Sequence, residues 1–584
     1  MNGYMKTEIK FSRDPQRFIK EDLGRYPDTL PGLLEHCVRQ YEDRPFVGMH
    51  GESMISYRDF YQRVRAVEDL LRKKGVNRGD RVSILGENSP NWVISFFALL
   101  YAGAVAVPIL HDFPESDIRH ILGDCEAEVL FTTRQQWEKL SHLRHTRVKT
   151  VIMMDDFSDQ PLGSGFEFLS ELKEWARDFM GKFPKPAASG PGGTDRDDVC
   201  SIIYTSGTSG HSKAVMLTHR NLVSNVVAAS LLMELGATDK FLSILPISHT
   251  YEFTVGFLLP MFHGCHIVYI GKPPTPRILE TVCRKEKPTA ICSVPLVLEK
   301  IYKRRVLPVL EKNRVVKLIA RIPGIRSRLH KVIAKKLMDF FGGNLRVMPI
   351  GGASFNIAAE EFFKKIGFPY LIGYGLTETA PLLAGGPMGN DTIRTGSTGK
   401  VTPGCEIRIA DPDPRTGIGE ILGRGPNVMK GYYHNPELTA EMVDEDGWFR
   451  TGDLGSFDSL DNLYIRGRSK NIIVLSNGEN IYPEAIEGML NACSHILESL
   501  VILNQGRLEG WVYMNYDLVD EKTAGQPEIR RSEYIDSVLK EIQDRVNAKM
   551  PSYARISRLV EQPEPFLKTV THKIKRYLYT HRQG

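Results

Sequence analysis

Residues 204–221 read YTSGTSGHSKAVMLTHRN, and the fold prediction starts from this stretch. An apolar run at residues 200–203 precedes it and has the length of a buried strand. Glycines let a backbone approach a ligand closely, and successive N–H groups form a concavity that suits an anion. Six residues with such N–H groups come before Lys213 in this stretch; they are Thr205, Ser206, Gly207, Thr208, Ser209 and Gly210. The stretch therefore predicts a phosphate-binding loop.

The same residues are compatible with a flexible surface loop, because Gly and Ser are common in loops. A Ser/Thr/Gly run between two apolar segments, with a lysine at its exit, favours phosphate binding. The stretch is not an ordinary P-loop, which needs G-x-x-x-x-G-K-[ST], because His211 and Ser212 follow Gly210. The pattern indicates a nucleotide triphosphate and leaves the fold open.

The composition is that of an ordinary globular protein with more than one domain. The chain has 584 residues, of which 42% are hydrophobic and 25% charged, and one core rarely supports this length. The formal charge of +5 is small, so no nucleic-acid partner is predicted. Eight scattered cysteines without metal-binding spacing indicate a reducing compartment. The N-terminus lacks an apolar signal segment, and we expect a cytoplasmic location.

Alternating helical and strand patterns predict an α/β fold with a mostly parallel sheet and covering helices. Residues 91–110 are apolar enough to resemble a membrane span, but Gly103 and Pro108 divide them, which favours a buried helix followed by a buried strand. Thr29 is expected to cap a helix at residues 30–41, a strand is predicted at residues 290–294, and from residue 396 the pattern becomes strand-rich. We predict a large domain of layered α/β sheets at 1–467, with a β-rich subdomain at about 396–467, and a small α+β domain at 468–584.

Residues 301–336 are unusually basic. Twelve Lys or Arg side chains alternate there with apolar residues, and Glu311 is the only acidic residue in the segment. The pattern predicts a largely helical, amphipathic segment. A solvated helix face is one interpretation, and contact with an anionic membrane surface or an acidic partner is the other.

Three further polar clusters follow predicted strands. They are GGA at Gly351, Gly352 and Ala353, GYGLTETAP at residues 373–381, and DGWFRTGDLGSFD at residues 446–458. Each is compatible with a tight turn, but polar groups directly after a buried strand occupy the place where an open sheet binds ligands. His249 interrupts an apolar segment in SHTYE and is either a hydrogen-bonded core residue or a functional one.

In this order, these stretches resemble the AMP-forming adenylating enzymes: acyl-CoA synthetases, peptide-synthetase adenylation domains and beetle luciferases. The resemblance covers nearly the whole chain. SHTYE at residues 248–252, PLVLEKIY at residues 295–302, the basic segment and GYGLTETAP are most similar to long-chain fatty acyl-CoA synthetases. The resemblance implies that the C-terminal domain is mobile and rotates between two half-reactions.

The resemblance also implies a role for each motif residue. Thr205 to Gly210 and Lys213 would hold the ATP phosphates, and Gly351, Gly352, Ala353, Tyr374 and Gly375 the adenine. Thr377 would contact a phosphate, Glu378 with Thr205 would bind Mg²⁺, and Asp453 with Arg468 would bind the ribose. Lys470 would be the hinge, Gly478 would serve the second half-reaction, Lys573 would serve adenylation, and His249 would lie near the acyl carboxylate.

Three positions depart from the family pattern. Ser212 stands where Pro is usual, Ala214 where Gly is usual, and His572 where Gly is usual. None of these departures removes a charged group. They bear on the flexibility of the phosphate loop and on how Lys573 is presented.

The implied activity is ATP-dependent activation of a fatty acid to acyl-AMP, followed by transfer to CoA. Two alternatives stay open. Acyl-AMP could pass to the phosphopantetheine of an acyl carrier protein, because that thiol is chemically the same as the thiol of CoA. The protein could instead be a non-catalytic, membrane-associated acyl- or nucleotide-binding protein, although binding alone would not need Glu378, Asp453 and Lys573 together.

Overall fold

The structure is a computed structural model that describes residues 14–140, 146–161, 193–205, 212–307, 323–475, 479–569 and 573–580. It confirms the predicted fold class, with layered α/β sheets, an antiparallel β-rich portion and a C-terminal α+β portion. All eight cysteines lie in the described residues, where they are buried and unpaired with one another.

The first layer is an eight-stranded sheet whose central strands run parallel. In spatial order its strands are Gly431–Tyr432, Lys213–Thr218, Val199–Thr205, Val105–Ile109, Arg81–Leu85, Val129–Thr132, Thr150–Met153 and Ser158–Pro161. The strand Val105–Ile109 is buried along its whole length, which explains its continuous apolar sequence.

The apolar residues 91–110 form a helix and a strand, as predicted. The helix Pro90–Ala102 is capped by Ser89, whose Oγ accepts a hydrogen bond from the backbone N–H of Trp92 at 3.2 Å. Gly103 ends the helix in the left-handed region, with φ of 77°. Within the part of the chain that the structure describes, every helix is too short or too polar to cross a membrane.

The second layer joins two four-stranded sheets. The first sheet has the order Lys240–Ser243, His266–Tyr269, Pro45–Met49 and Ile55–Ser56, and the second has the order Met348–Ile350, Tyr370–Gly375, Leu382–Gly385 and Lys400–Val401. The strand predicted at residues 290–294 is reduced to single bridges: Ala290 pairs with Phe241 on one side and Val347 on the other, so it links the two sheets.

Helices fill the space between the two layers and cover their outer faces. The inner helices carry the main core, in which Trp92 and Phe97 are fully buried and the Phe96 and Phe253 rings lie 4.4 Å apart. The inner helices are Leu30–Tyr41, Tyr57–Lys73, Pro90–Ala102 and His219–Ser230. The outer helices include Glu115–Asp124, Pro276–Glu286, Pro295–Ile301, Pro323–Phe340 and Ile357–Lys365.

The described residues of the C-terminal third form two larger strand systems and one two-stranded pair, Ile473–Val474 with Asn480–Ile481. The antiparallel sheet of the β-rich portion consists of Glu406–Ala410, Gly419–Arg424, Phe449–Phe457 and Leu463–Arg468. The last portion has a three-stranded sheet, Ile496–Asn504, Arg507–Met514 and Arg558–Glu561, packed by helices Pro483–Asn491, Tyr516–Thr523 and Glu528–Asn547 around its own core. A short turn, Ser469–Asn471, connects the two systems.

Candidate active site

The phosphate-loop stretch is a hairpin between two paired strands. The strands Val199–Thr205 and Lys213–Thr218 run antiparallel, with Thr205 opposite Lys213 and the Thr205 hydroxyl donating to the Lys213 carbonyl at 3.4 Å. Thr218 then caps the next helix, because its hydroxyl accepts from the N–H of Asn221 at 3.2 Å. Both ends of the loop are therefore fixed. The predicted ligands Ser206, Gly207, Thr208, Ser209 and Gly210 lie outside the described residues.

Glu378 lies beside this hairpin on the short 3₁₀ turn Thr377–Thr379. The carboxylate is buried, and its Oε1 accepts a hydrogen bond from the Tyr432 hydroxyl at 2.9 Å. The Lys213 ammonium lies 5.0 Å from the centre of the same Tyr432 ring. Burial lowers the pKa of Lys213, and the charge of Glu378 opposes that effect. Tyr432 therefore places the predicted metal carboxylate next to the predicted phosphate lysine.

Glycines form the wall predicted to hold adenine. Gly375 can be no other residue, because a Cβ there would lie 1.6 Å from the Pro381 carbonyl oxygen. Gly352 has a φ of 85°, and the N–H of Gly351 donates to the Ser293 carbonyl at 3.2 Å. With Ala353, these residues line one cleft at the carboxyl ends of the strands Met348–Ile350 and Tyr370–Gly375.

Asp453 connects the strand Tyr370–Gly375 with the strand Leu463–Arg468. Its Oδ2 accepts from the Tyr374 hydroxyl at 2.9 Å, and its Oδ1 lies 2.8 Å from Nε of Arg468, its cross-strand neighbour. Burial raises the pKa of Asp453, with Arg468 the largest opposing influence. Asp453 lies inside the strand Phe449–Phe457, whereas the sequence suggested a position just past a strand. A rigid strand therefore holds this side chain.

Lys573 enters the cleft from the C-terminal portion. Desolvation lowers the pKa of its ammonium, Arg468 adds to that effect, and the charges of Asp453 and Glu378 oppose it. The residue as a whole is exposed, but its ammonium group lies among these charged side chains. Lys470 lies exposed on the connecting turn Ser469–Asn471. Gly478 lies outside the described residues.

His249 lines the same cleft and is held as a neutral imidazole. Burial lowers its pKa to about 4, and the positive charge of Lys573 adds to that effect. Asn88 fixes the segment before it: the Asn88 amide donates to the Leu245 carbonyl at 2.6 Å and accepts from the N–H of Ile247 at 2.9 Å. His249 is thus positioned at the cleft, and its part in substrate binding stays a prediction.

A buried acid, Glu252, stands behind this segment. Its Oε1 accepts a hydrogen bond from the Ser243 hydroxyl at 2.5 Å, and its Oε2 is buried without a partner. Gly256 leaves the space that the carboxyl group occupies, because a Cβ there would lie 2.6 Å from its Cδ. Burial raises the pKa of Glu252 from 4.5 to about 8, so the group is protonated at neutral pH.

Glu252→Gln is expected to make the protein less sensitive to alkaline pH. Between pH 4.5 and 8 the native state keeps a proton that the unfolded state has released, so the wild-type free energy of unfolding falls as pH rises through this range. The Gln variant lacks this decline and should gain about 4 kcal/mol relative to wild type between pH 5 and pH 9. Denaturant unfolding at both pH values measures the difference. Glu564→Gln, at an exposed position, is the control. A Glu252→Gln difference that did not change with pH would contradict the expectation.

The described candidate residues all line this one cleft. Its charged groups act on one another: the cations are Lys213, Arg468, Lys470 and Lys573, and the carboxylates are Glu378, Asp453, Glu441 and Glu484. Sequence reasoning missed Tyr432, Asn88 and Glu252. Tyr432 is the first tyrosine of a GYY sequence that forms an edge strand, and nothing in the sequence showed that its hydroxyl reaches Glu378.

The architecture is that of adenylate-forming enzymes. The structure superposes on ATP-bound MatB from Rhodopseudomonas palustris with a TM-score of 0.73 and 22% identity, covering 94% of this chain and 98% of that one. It also superposes on the O-succinylbenzoate coenzyme A synthetase MenE from Bacillus subtilis, in complex with ATP and magnesium ion. The TM-score of that superposition is 0.69 and the identity is 20%, and the match covers 93% of this chain and 98% of that one. At these identities the likeness concerns the fold.

Sequence comparison gives the family. The profile described as AMP-binding enzyme matches residues 34–433, and the AMP-binding enzyme C-terminal domain matches residues 470–579. A relative from Mycobacterium bovis, long-chain-fatty-acid–CoA ligase FadD15, is 31% identical over 79% of this chain and 78% of its own length. The peroxisomal long chain acyl-CoA synthetase 7 of Arabidopsis thaliana is 27% identical over 97% of this chain and 86% of its own length. The chain belongs to the AMP-binding enzyme family, and the predicted class, an AMP-forming acid–thiol ligase, is confirmed.

Proposed function

We propose that this protein activates a medium- or long-chain fatty acid with ATP, forming acyl-AMP and pyrophosphate, and then transfers the acyl group to CoA. The names of its relatives support the fatty acid and CoA as substrates. One observation carries the proposal: a single cleft brings together Glu378, Asp453 and Lys573, which are distant in sequence and serve different parts of a nucleotide.

The chemistry explains why the cleft needs these charges. A carboxylate is a poor acyl donor because its leaving group would be an oxide, whereas AMP is a good leaving group. To form acyl-AMP, the fatty carboxylate attacks the α-phosphorus, the bond to the β-phosphate oxygen breaks, and pyrophosphate leaves. Two anions must meet for this attack. Preorganised cations that neutralise them are typically the largest catalytic contribution in such a site.

The residues of the cleft divide between the parts of ATP. Thr205 and Lys213, together with residues 206–210, bind the phosphates in this proposal, and Thr377 contacts one of them. Tyr374 and Gly375, with residues 351–353, hold the adenine, while Asp453 accepts hydrogen bonds from the ribose and Arg468 is its ion-pair partner. Lys573 supplies the charge at the reacting α-phosphate. The neutral His249 lies where the fatty carboxylate enters.

The donor set at Glu378 fits Mg²⁺. A carboxylate and the Thr205 hydroxyl are hard oxygen ligands, and Mg²⁺ in nucleotide sites takes one or two protein ligands while substrate phosphates and water supply the rest. Among the described residues, no group of three or more His, Cys, Asp or Glu side chains offers an all-protein metal cage. When bound, the ion polarises the phosphate oxygens as a Lewis acid.

The proposal is tested by measuring AMP release across short-chain, long-chain and aromatic acids, with CoA, with a holo acyl carrier protein, and with no thiol. AMP release that needs both a fatty acid and CoA supports it. Release with the carrier protein alone would favour an acyl–carrier-protein ligase. A lack of fatty-acid-dependent ATP–pyrophosphate exchange would contradict the enzymatic proposal and favour a binding protein.

The second step requires a domain movement, and we propose that Lys470 is its hinge, with Gly478 in the loop that moves into the cleft. A Lys470→Pro variant should therefore slow thioester formation from supplied acyl-AMP by about tenfold or more, because proline fixes φ where the turn must change. Acyl-AMP formation should be nearly normal, since the present arrangement already places Lys573 in the cleft. Lys470→Ala is the control, because it removes the charge and keeps the backbone free. An unchanged ratio of the two rates would argue against a hinge at this residue.

We further propose that the basic segment contacts an anionic membrane surface. Its described part includes the helix Pro323–Phe340, which buries Ile333 and Leu337 in the core. The exposed residues of this helix include Val332, five basic side chains and one acidic side chain; the charged ones are Arg326, Arg328, Lys331, Lys335, Lys336 and Asp339. An exposed apolar residue within a basic helix face suits a surface of acidic headgroups.

Partitioning onto anionic vesicles should depend on this face and on salt. Substituting Arg328, Lys331 and Lys335 with Gln is expected to weaken binding to phosphatidylserine vesicles roughly 100-fold, since each basic residue near such a surface contributes about 1 kcal/mol. Co-sedimentation at low and high salt measures it. A matched triple substitution at exposed Lys73, Arg277 and Lys285 is the control. Equal loss in both variants, or binding by neither protein nor variants, would refute the proposal.

A further inference from the structure

Lys573 lies on a short segment that folds back on itself. We call this segment the strap; its described residues are 566–569 and 573–579. The N–H of Thr569 donates to the Lys573 carbonyl at 2.8 Å, and the N–H of Lys575 donates to the Leu567 carbonyl at 2.9 Å. The N–H of Leu567 also donates to the Tyr579 hydroxyl at 2.8 Å. These contacts shape the strap, but they hold it only to itself. Its position relative to the rest of the molecule depends on other residues.

Arg576, three residues after Lys573, fastens the strap to the helix Pro483–Asn491. Its guanidinium forms a short ion pair with Glu487 and lies 3.9 Å from Oε1 of Glu484 on the same helix. Glu487 is buried, and its Oε1 accepts a further hydrogen bond from the N–H of Val501 at 2.7 Å. The strap is therefore tied to two elements of the small domain through one arginine.

The same contacts reach the turn between the domains. Oε1 of Glu484 accepts a hydrogen bond from the Asn471 amide at 2.6 Å, and Asn471 ends the connecting turn Ser469–Asn471. Gly467, just before that turn, leaves room for the Glu484 carboxylate: a Cβ there would lie 2.8 Å from its Oε2. One acidic side chain thus contacts both the strap arginine and the turn about which the small domain is proposed to move.

Removing one partner of the buried Glu487–Arg576 ion pair is expected to be destabilising. Burial raises the pKa of Glu487 to about 7, and Arg576 is the largest opposing influence. Removing the guanidinium would leave a buried carboxylate without its counter-charge, which is more destabilising locally than removing an exposed pair. The segment around Lys573 would then lose its tie to this helix, while the Lys568–Glu498 ion pair and the packing of Phe566 and Tyr579 against Leu500 still hold the two ends of the strap.

We propose that Arg576 is a positioning residue for Lys573: with Glu487 and Glu484 it forms a clamp that keeps the lysine strap in the geometry of the acyl-AMP-forming step and ties that geometry to the interdomain turn. The inference rests on the proposed function. In this proposal Arg576 does not contact ATP and acts only through the backbone that carries Lys573.

Arg576→Met removes the charge and keeps most of the side-chain volume. It should lower the rate of fatty-acid-dependent pyrophosphate exchange roughly 10- to 100-fold, the usual cost of a misplaced catalytic group, and leave thioester formation from supplied acyl-AMP within about twofold of wild type. Arg576→Lys should restore part of the exchange rate. Arg558→Met is the matched control: Arg558 pairs with buried Glu509 at 2.8 Å in the same domain but away from the strap.

Hydrogen exchange gives a readout that does not depend on activity. Amides of residues 566–579 should exchange faster in Arg576→Met and at the wild-type rate in Arg558→Met. The clamp would be overturned if the strap amides of Arg576→Met kept the wild-type rate of hydrogen exchange, or if this variant lost both half-reactions equally. Should Arg576→Met fail to fold, Glu487→Gln keeps the volume and gives the same two readouts. A wild-type protein without acyl-AMP formation would instead overturn the proposed function.

Discussion

Replacing Lys573 with alanine is expected to lower the rate of acyl-AMP formation by roughly 10²–10³-fold and to leave thioester formation from supplied acyl-AMP nearly unchanged. Lys573 comes from the far end of the chain, and its ammonium lies among Arg468, Asp453 and Glu378. Because it is desolvated there, its charge acts strongly on a nearby phosphate. The second step uses no triphosphate, so it has less need of this charge.

Pyrophosphate exchange and single-turnover thioester formation measure the two half-reactions separately. Lys575→Ala is the matched control, since Lys575 is two residues away on the same strap and lies outside the group of charges around Asp453. Its backbone N–H, which the substitution keeps, is the group that bonds to Leu567. Equal losses in both half-reactions for Lys573→Ala would show that the lysine supports the fold of the domain instead of the chemistry.

Much of the fold could be predicted because its signals are local. Thr29 as the cap of the helix Leu30–Tyr41, and Gly103 as the break between an apolar helix and an apolar strand, need only the sequence nearby. The strand predicted at residues 290–294 survives only as bridges, because its length depends on two sheets that meet at Ala290. Pairing across distant segments is not encoded in local periodicity.

The candidate site shows the same division between local and long-range information. Glu378 and Asp453 could be selected as candidates because each belongs to a short polar cluster that the local sequence shows, although Asp453 lies inside a strand and not after one. Tyr432, which orients Glu378, and Arg576, which fastens the Lys573 strap, could not be predicted because their partners are 54 and 89 residues away. Only the folded chain reveals which buried carboxylates these side chains serve.

The phosphate-loop stretch also gains a more specific interpretation from its surroundings. By sequence, Lys213 is the obvious catalytic cation of the chain. In the structure it is the partner of Thr205 at the end of a strand pair and lies over the Tyr432 ring, so its ammonium is fixed at one place in the cleft. A fixed cation suits the β- and γ-phosphates, which stay joined to each other and leave together as pyrophosphate. Lys573 belongs to the portion that is proposed to move, which suits the step that must be switched off before thioester formation.

Glu378→Gln is expected to lower acyl-AMP formation by roughly 10²–10³-fold and to raise the Mg²⁺ concentration that gives half the maximal rate. The substitution keeps the size of the side chain and an acceptor for the Tyr432 hydroxyl, but it removes the charge that attracts a divalent cation. Thioester formation from supplied acyl-AMP needs no ATP and should be spared. Pyrophosphate exchange as a function of Mg²⁺ concentration measures both effects.

Tyr432→Phe separates the charge of Glu378 from its orientation. The phenylalanine removes one hydrogen bond, of 2.9 Å, to a buried carboxylate, and such bonds to charged groups contribute about 1.5–3 kcal/mol, so the loss in rate should be about 10- to 100-fold at most. Because Glu378 keeps its charge, extra Mg²⁺ should recover much of the rate in Tyr432→Phe and little of it in Glu378→Gln. If both variants showed the wild-type Mg²⁺ dependence, Glu378 would not be the metal ligand, and its burial beside Lys213 would instead serve to hold the phosphate hairpin against the strand Gly431–Tyr432.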